Sequence, residues 1–240
     1  MKGRAIGPVA ALLFGIAAFL VVYLVVQALR VGLFSTITTH GIREIVVLRA
    51  MTSIVLDWLL FAAIVIILRL RGLRLRDIGW AKASPPGGWL AALAVAVLYA
   101  GFTVMGPMLR HAPILSDWSL FRVGTAVAIG VTAGICEETV FRGFVMTEAR
   151  EAGSPVWLQV FLSALLFGLA HVGWGGLTGH FHLWPMIGSM VATFVLGALL
   201  ALVYLASRRS LMPAIAAHAA IDMVIEPWLL LFMASGARFG

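Results

Sequence analysis

Residues 126–143 read AVAIGVTAGICEETVFRG. The first ten are apolar or small and carry no charge; Glu137, Glu138 and Arg142 then fall within six residues. The chain of 240 residues is 62% hydrophobic and 11% charged, where a soluble domain carries roughly 25% charged residues. Water is therefore not its main solvent. A charge at membrane depth costs roughly 2.5–3.5 kcal/mol on insertion scales unless it is paired or faces a cavity. Three charges set at the end of an apolar run need a reason of that kind.

Working outward, apolar runs of about 20 residues read as membrane-crossing helices. The chain offers them at 5–29, 45–68, 89–108, 121–149, 156–172, 183–206 and 211–233. The last is one long helix or two pieces divided near Pro227, because the residue before a proline disfavours the helical region. The expectation is an all-α, polytopic transmembrane bundle of 7–8 helices around a water-accessible intramembrane cavity. It forms one domain, 1–240, with a motif core at 120–225. The first run is too long for a signal-peptide core of roughly 7–15 residues and reads as a retained span. The single cysteine, Cys136, excludes an intramolecular disulfide.

The net charge of +7 would suggest nucleic acid in a soluble protein. Here the basic residues cluster in loops, so topology explains them and no nucleic-acid partner is expected. Residues 69–82, RLRGLRLRDIGWAK, carry Arg69, Arg71, Arg74, Arg76 and Lys82; Lys2 and Arg4 precede the first span, and Arg208 and Arg209 follow the sixth. With a cytoplasmic N-terminus all of these lie inside, while the loop 173–182 lies outside without Lys or Arg. Arg30, Arg43, Arg110 and Arg122 run against the trend. The expected location is the cell membrane, crossed several times.

The ionisable residues within the spans define the candidate site. Glu138 and Arg142, four apart, share a helix face and can pair. Glu137 is turned from Glu138 by about 100° and has no such partner. A desolvated, unpaired carboxylate suits general-base work near neutral pH. On later spans, Phe167 and His171 share a face, as do His218 and Asp222. Helices of a bundle can bring such groups to one wet cavity. A lone intramembrane histidine is also a common interhelical hydrogen-bonding contact, and a Glu–Arg pair a common packing device. Arg49 and Asp57, about 80° apart in projection, read as structural, and Glu226 as interfacial. His40, His111, His180 and His182 read as loop residues; two loop histidines without a third ligand are a weak metal signal. Cys136 lacks the cationic neighbour that a thiolate needs.

Together the motifs resemble a known family. EETVFR at 137–142 matches EExxxR, FGLAH at 167–171 matches FxxxH, and HAAID at 218–222 matches HxxxN/D, in that order on successive helices. This is similar to the CPBP family of intramembrane proteases, which includes the CAAX prenyl endopeptidases and the bacterial Abi-type proteins. The linker LRLRDIGW is in the family's style. The resemblance implies hydrolysis of a peptide bond by a glutamate-activated water, with a membrane-associated protein or peptide as substrate and no cofactor. By motif position, Glu137 and His171 would activate the water, and Glu138 and Arg142 would form a supporting pair. His218 and Asp222 would stabilise the oxyanion. Position 222 is commonly Asn in such proteins; an ionised Asp cannot donate a hydrogen bond, so Asp222 is expected to orient His218.

Two alternatives stand beside this one. Glu137, His171 and His218 form a plausible zinc set for a membrane metalloprotease, although HExxH is absent. A non-catalytic role in transport, scaffolding or immunity is the other, since intramembrane carboxylates and histidines also serve proton relays. Helix length matters to all three. If the fourth span ended at Arg142, Glu137 and His171 would lie roughly 20 Å apart in depth at 1.5 Å per residue. Continuation to about Arg150 would bring Glu137 towards mid-depth.

Overall fold

The structure, a computed structural model, describes residues 42–109, 119–171 and 183–234. The expected first span, His40, His111 and the loop that carries His180 and His182 lie outside the described residues, as does the side chain of Arg49. Within them are six helices and no strand. These are α1 (Ile42–Leu70), α2 (Pro86–Leu109), α3 (Leu120–Glu151), α4 (Val156–His171), α5 (Leu183–Ala206) and α6 (Leu211–Ala234). Windows of α1, α2, α3 and α5 are long and apolar enough to cross a membrane, and α4 is a shorter apolar helix. Helix α6 continues unbroken through Pro227.

Local sequence sets the helix ends. Gly72 (φ +71°) closes α1, with the Leu73 amide bonded to the Leu68 carbonyl at 2.8 Å. Gly153 (φ +79°) closes α3, with Ser154 bonded to the Ala149 carbonyl at 3.0 Å and Pro155 following. Both are left-handed caps that satisfy otherwise orphaned carbonyls. Helix α3 therefore runs past Arg142 to Glu151, and Glu137 sits near its middle. Winding changes on the way: Leu120–Glu138 is α, Thr139–Val145 is π, and Met146–Glu151 is α again.

Helix α6 packs along α3 and against α2, α4 pairs with α5, and α1 packs on α3. Small residues permit the closest approaches. A methyl group on Gly130 would stand 2.9 Å from the Ala219 carbonyl, and one on Gly134 2.9 Å from the Ile215 carbonyl. The two glycines, four apart on one face of α3, thus let the α6 backbone in, as small-residue stripes do in membranes. Gly197 of α5 likewise admits Ala164 and Phe167 of α4.

The molecule is apolar outside and partly polar inside. Leu90, Leu93, Val97, Leu98 and Phe102 of α2 are exposed, as are Leu120 of α3 and Trp157 of α4. Glu138, Thr139, Arg142, Ser163 and His218 are buried. That inversion fits a bundle whose solvent is lipid, where exposed apolar surface costs nothing and polar groups must be satisfied internally.

Candidate active site

The α3–α6 approach brings Glu138 beside His218. Glu138 Oε1 accepts from Arg142 Nη1 at 2.7 Å and from His218 Nδ1 at 2.8 Å. Arg142, completely buried, also donates through Nη2 to the Gly197 carbonyl at 2.8 Å. One carboxylate, one guanidinium and one imidazole thus tie α3, α5 and α6 together. Buried ions persist only when paired and hydrogen-bonded in this way.

The ring of Phe167 lies at the centre of these groups. The Arg142 guanidinium carbon sits 4.6 Å from its centroid. His171 and His218 lie 4.6 and 5.6 Å away, ring to ring, and Phe141 lies 5.2 Å away edge-on. Phe167 is therefore the spacer that sets α4 and α6 side chains against each other. FxxxH names it, but only the packing gives the reason for an aromatic there.

His171 closes α4. Its Nδ1 bonds to the Phe167 carbonyl at 2.8 Å. A carbonyl oxygen only accepts, so Nδ1 donates in this bond and Nε2 is the ring nitrogen left outside it. His218 is oriented differently from the sequence-based expectation. The bond that fixes its ring runs across helices to Glu138, whereas Asp222 Oδ2 stands 3.6 Å from Nε2, an ion-pair distance beyond a hydrogen bond. Sequence spacing points to the i, i+4 neighbour; the better-placed partner belongs to another helix.

Glu137 contrasts with its neighbour. It is half-buried, and its Oε2 is enclosed without a hydrogen-bond partner. Electrostatically it faces His218 and Asp222 of α6 and Asp57 of α1. Asp57 is the residue that sequence reasoning assigned to structure. It follows Ala50 and Ser53 at helical spacing and precedes Ile64, all buried, so it lies on the α1 face turned to the bundle. That polar position on an apolar stripe was the available signal. Glu226, read as interfacial, is buried one turn beyond Asp222 and within its electrostatic reach. Tyr99 of α2 also lies within reach of Asp222 and donates its hydroxyl to the Ala192 carbonyl at 3.1 Å.

The zinc set is not assembled. Among the described residues, no three His, Cys, Asp or Glu side chains are grouped to hold a metal ion. The alternative is not favoured, and no chemistry is routed through a metal.

Fold and site define a class: a multi-pass helical membrane protein whose interior holds an ion-paired glutamate beside an unpaired one. Comparison with known families narrows it. The family described as type II CAAX prenyl endopeptidase Rce1-like matches residues 118–224, so this segment is similar to that family. The match spans all three motifs. Among curated proteins and among solved structures, nothing matches the chain.

Proposed function

We propose that the protein is an intramembrane endopeptidase that hydrolyses a peptide bond of a membrane-associated protein or peptide through a water activated by Glu137 and His171. The observation that carries this reading is the division of labour between neighbours. Each has a buried Oε2 without a partner, but Glu138 is engaged through Oε1 by Arg142 and His218, while Glu137 has neither a cation nor an imidazole bonded to it.

The chemistry follows from these atoms. In this reading a water held by Glu137 and His171 gives its proton to the Glu137 carboxylate, and its oxygen bonds to the scissile carbonyl carbon. Charge moves to the carbonyl oxygen, where His218 Nε2–H, as imidazolium between Glu138 and Asp222, donates to it. Such a preorganised donor acts strongly in a water-poor site. Collapse breaks the C–N bond, and the proton held by Glu137 passes to the leaving nitrogen. One water is consumed, and both carboxyl and amine products are accounted for. Asp57 sets a second carboxylate opposite Glu137, so a proton can be shared between them in place of two adjacent charges. Because the family description names a prenyl endopeptidase, a prenylated C-terminal segment is the first substrate to try.

The test compares protein termini in membranes and medium from cells that carry wild type or the near-isosteric Glu137→Gln at matched expression. A terminus produced only by wild type identifies both activity and substrate. Identical termini in cells shown to contain prenylated candidates would count against the reading.

A further inference from the structure

The linker between α1 and α2 is not a slack connection. Its 3₁₀ turn, Leu75–Ile78, ends at Gly79 (φ +110°), whose carbonyl accepts the Leu211 amide at 3.1 Å. The Ile78 carbonyl accepts from Tyr204 Oη at 3.3 Å, and the Lys82 carbonyl from Ser210 Oγ at 2.8 Å. A methyl group on Gly79 would overlap the Arg209 carbonyl. The linker is thus stitched to the α5–α6 turn at one end of the bundle.

From that anchorage it meets α3 at three levels. Trp80 Nε1 donates to Thr139 Oγ1 at 3.0 Å. Ile78 packs on Gly143, where a methyl group would stand 3.1 Å from its Cδ1. Arg71 Nη1 pairs with Glu148 Oε1 at 2.5 Å. Thr139 and Glu148 are nine residues apart. An unbroken α-helix of 3.6 residues per turn would set them about 180° apart, on opposite faces. The π turns between them take in one extra residue and bring Glu148 round by about 100°. The linker meets both across a helix wound in this way.

The first π residue is Thr139, next to Glu138 and two beyond Glu137. Its hydroxyl donates to the Ile135 carbonyl at 2.6 Å while accepting the Trp80 indole proton. Trp80 itself stands edge-on to Phe61 of α1 at 6.2 Å. The chain Trp80 N–H, Thr139 O–H, Ile135 C=O therefore fixes the hydroxyl's direction at the residue where the winding changes. Thr139 lies between Glu138, the last residue of the α segment, and Arg142 within the π segment, so this bond sits at the junction that the ion pair spans.

We propose that Trp80 is a positioning residue for the Glu137–Glu138 pair, acting through Thr139 to hold the start of the π segment. This rests on the reading of Glu137 as the catalytic base, and the test separates the two. Cys136, the only cysteine and 1% exposed, adjoins Glu137 and reports local opening without reference to catalysis. The full chain in detergent is treated with N-ethylmaleimide, and the labelling rate of Cys136 is measured for wild type, Trp80→Phe, Thr139→Val, the double variant and Thr139→Ser. Cleavage in cells, by the termini assay, is followed in parallel. Loss of one buried hydrogen bond should raise labelling roughly five- to tenfold in Trp80→Phe and in Thr139→Val. The double variant should go no further, Thr139→Ser should match wild type, and cleavage should fall by a similar factor. Unchanged labelling in Trp80→Phe, or Thr139→Ser behaving as Thr139→Val, overturns the positioning role. Should Trp80→Phe fail to fold, the two Thr139 variants decide the same question. Equal termini in wild type and Glu137→Gln would instead sink the protease reading, while the labelling rates still judge the clamp.

Discussion

The two halves of α3 meet the rest of the molecule in different ways. From Leu120 to Glu138 one face is buried and the other exposed, with Val127 and Val131 turned outwards. From Thr139 to Ala149 every residue is buried apart from Val140, which is partly so. In the encased half, polar groups find partners on several elements: Ser163 Oγ bonds to the Phe141 carbonyl at 3.0 Å, and Arg142 and Glu148 are both ion-paired. At the junction, Glu138 is tied to Arg142 and His218 through Oε1, and Glu137 is tied to neither. A buried charge tied to neighbouring helices holds the fold; one without an ion-pair partner is the candidate for chemistry.

The sharpest break of this contrast is an exchange of roles between neighbours. Glu137→Gln should lower cleavage by roughly 10²–10⁴-fold, with the thermal unfolding midpoint of the detergent-solubilised protein at its wild-type value. A large drop in that midpoint would mean that Glu137 is structural too. Arg142→Met leaves Glu138 charged and buried, and should destabilise the protein by about 3–5 kcal/mol, read as a fall in folded yield and midpoint. Pairing it with Glu138→Leu removes both charges and should recover most of that stability but not cleavage, since His218 loses its orienting bond.

Smaller effects sharpen the picture. Gly134→Val forces α6 away from α3 and should cost about 1–3 kcal/mol, with cleavage falling as His218 parts from Glu138. Val at the lipid-facing Gly124, where nothing lies within 4 Å, is the control and should leave both unchanged. Least of all, Asp222→Asn should lower cleavage by less than about tenfold, because the ring bond to Glu138 survives and the amide can donate. A loss as deep as that of Asp222→Ala would show that its charge matters.

Much of this was legible in the residues. Apolar runs gave the spans, and the i, i+4 spacing gave the Glu138–Arg142 pair and left Glu137 without a partner. Three motifs in order gave the resemblance to a protease family, and the family match spans the same residues. Less legible was anything that depends on which helices touch. His218 is held by Glu138, 80 residues away in sequence, and nothing in HAAID announces that bond. Asp57 looked structural from its projection beside Arg49 on one helix; its place depends on which helix that face meets. The linker's arginines read as a topology signal, yet Arg71 and Trp80 hold the far half of α3.

By itself, then, the sequence determined the apolar surroundings, the helices, the scarce charged residues and a resemblance to one protease family. These follow from local composition and from periods of a few residues, which every helix expresses alone. The tertiary structure decided the winding of α3, the partner of His218 and the place of Asp57. Each of these depends on helices approaching closely enough for one side chain to satisfy another, a property of the pair and not of either segment.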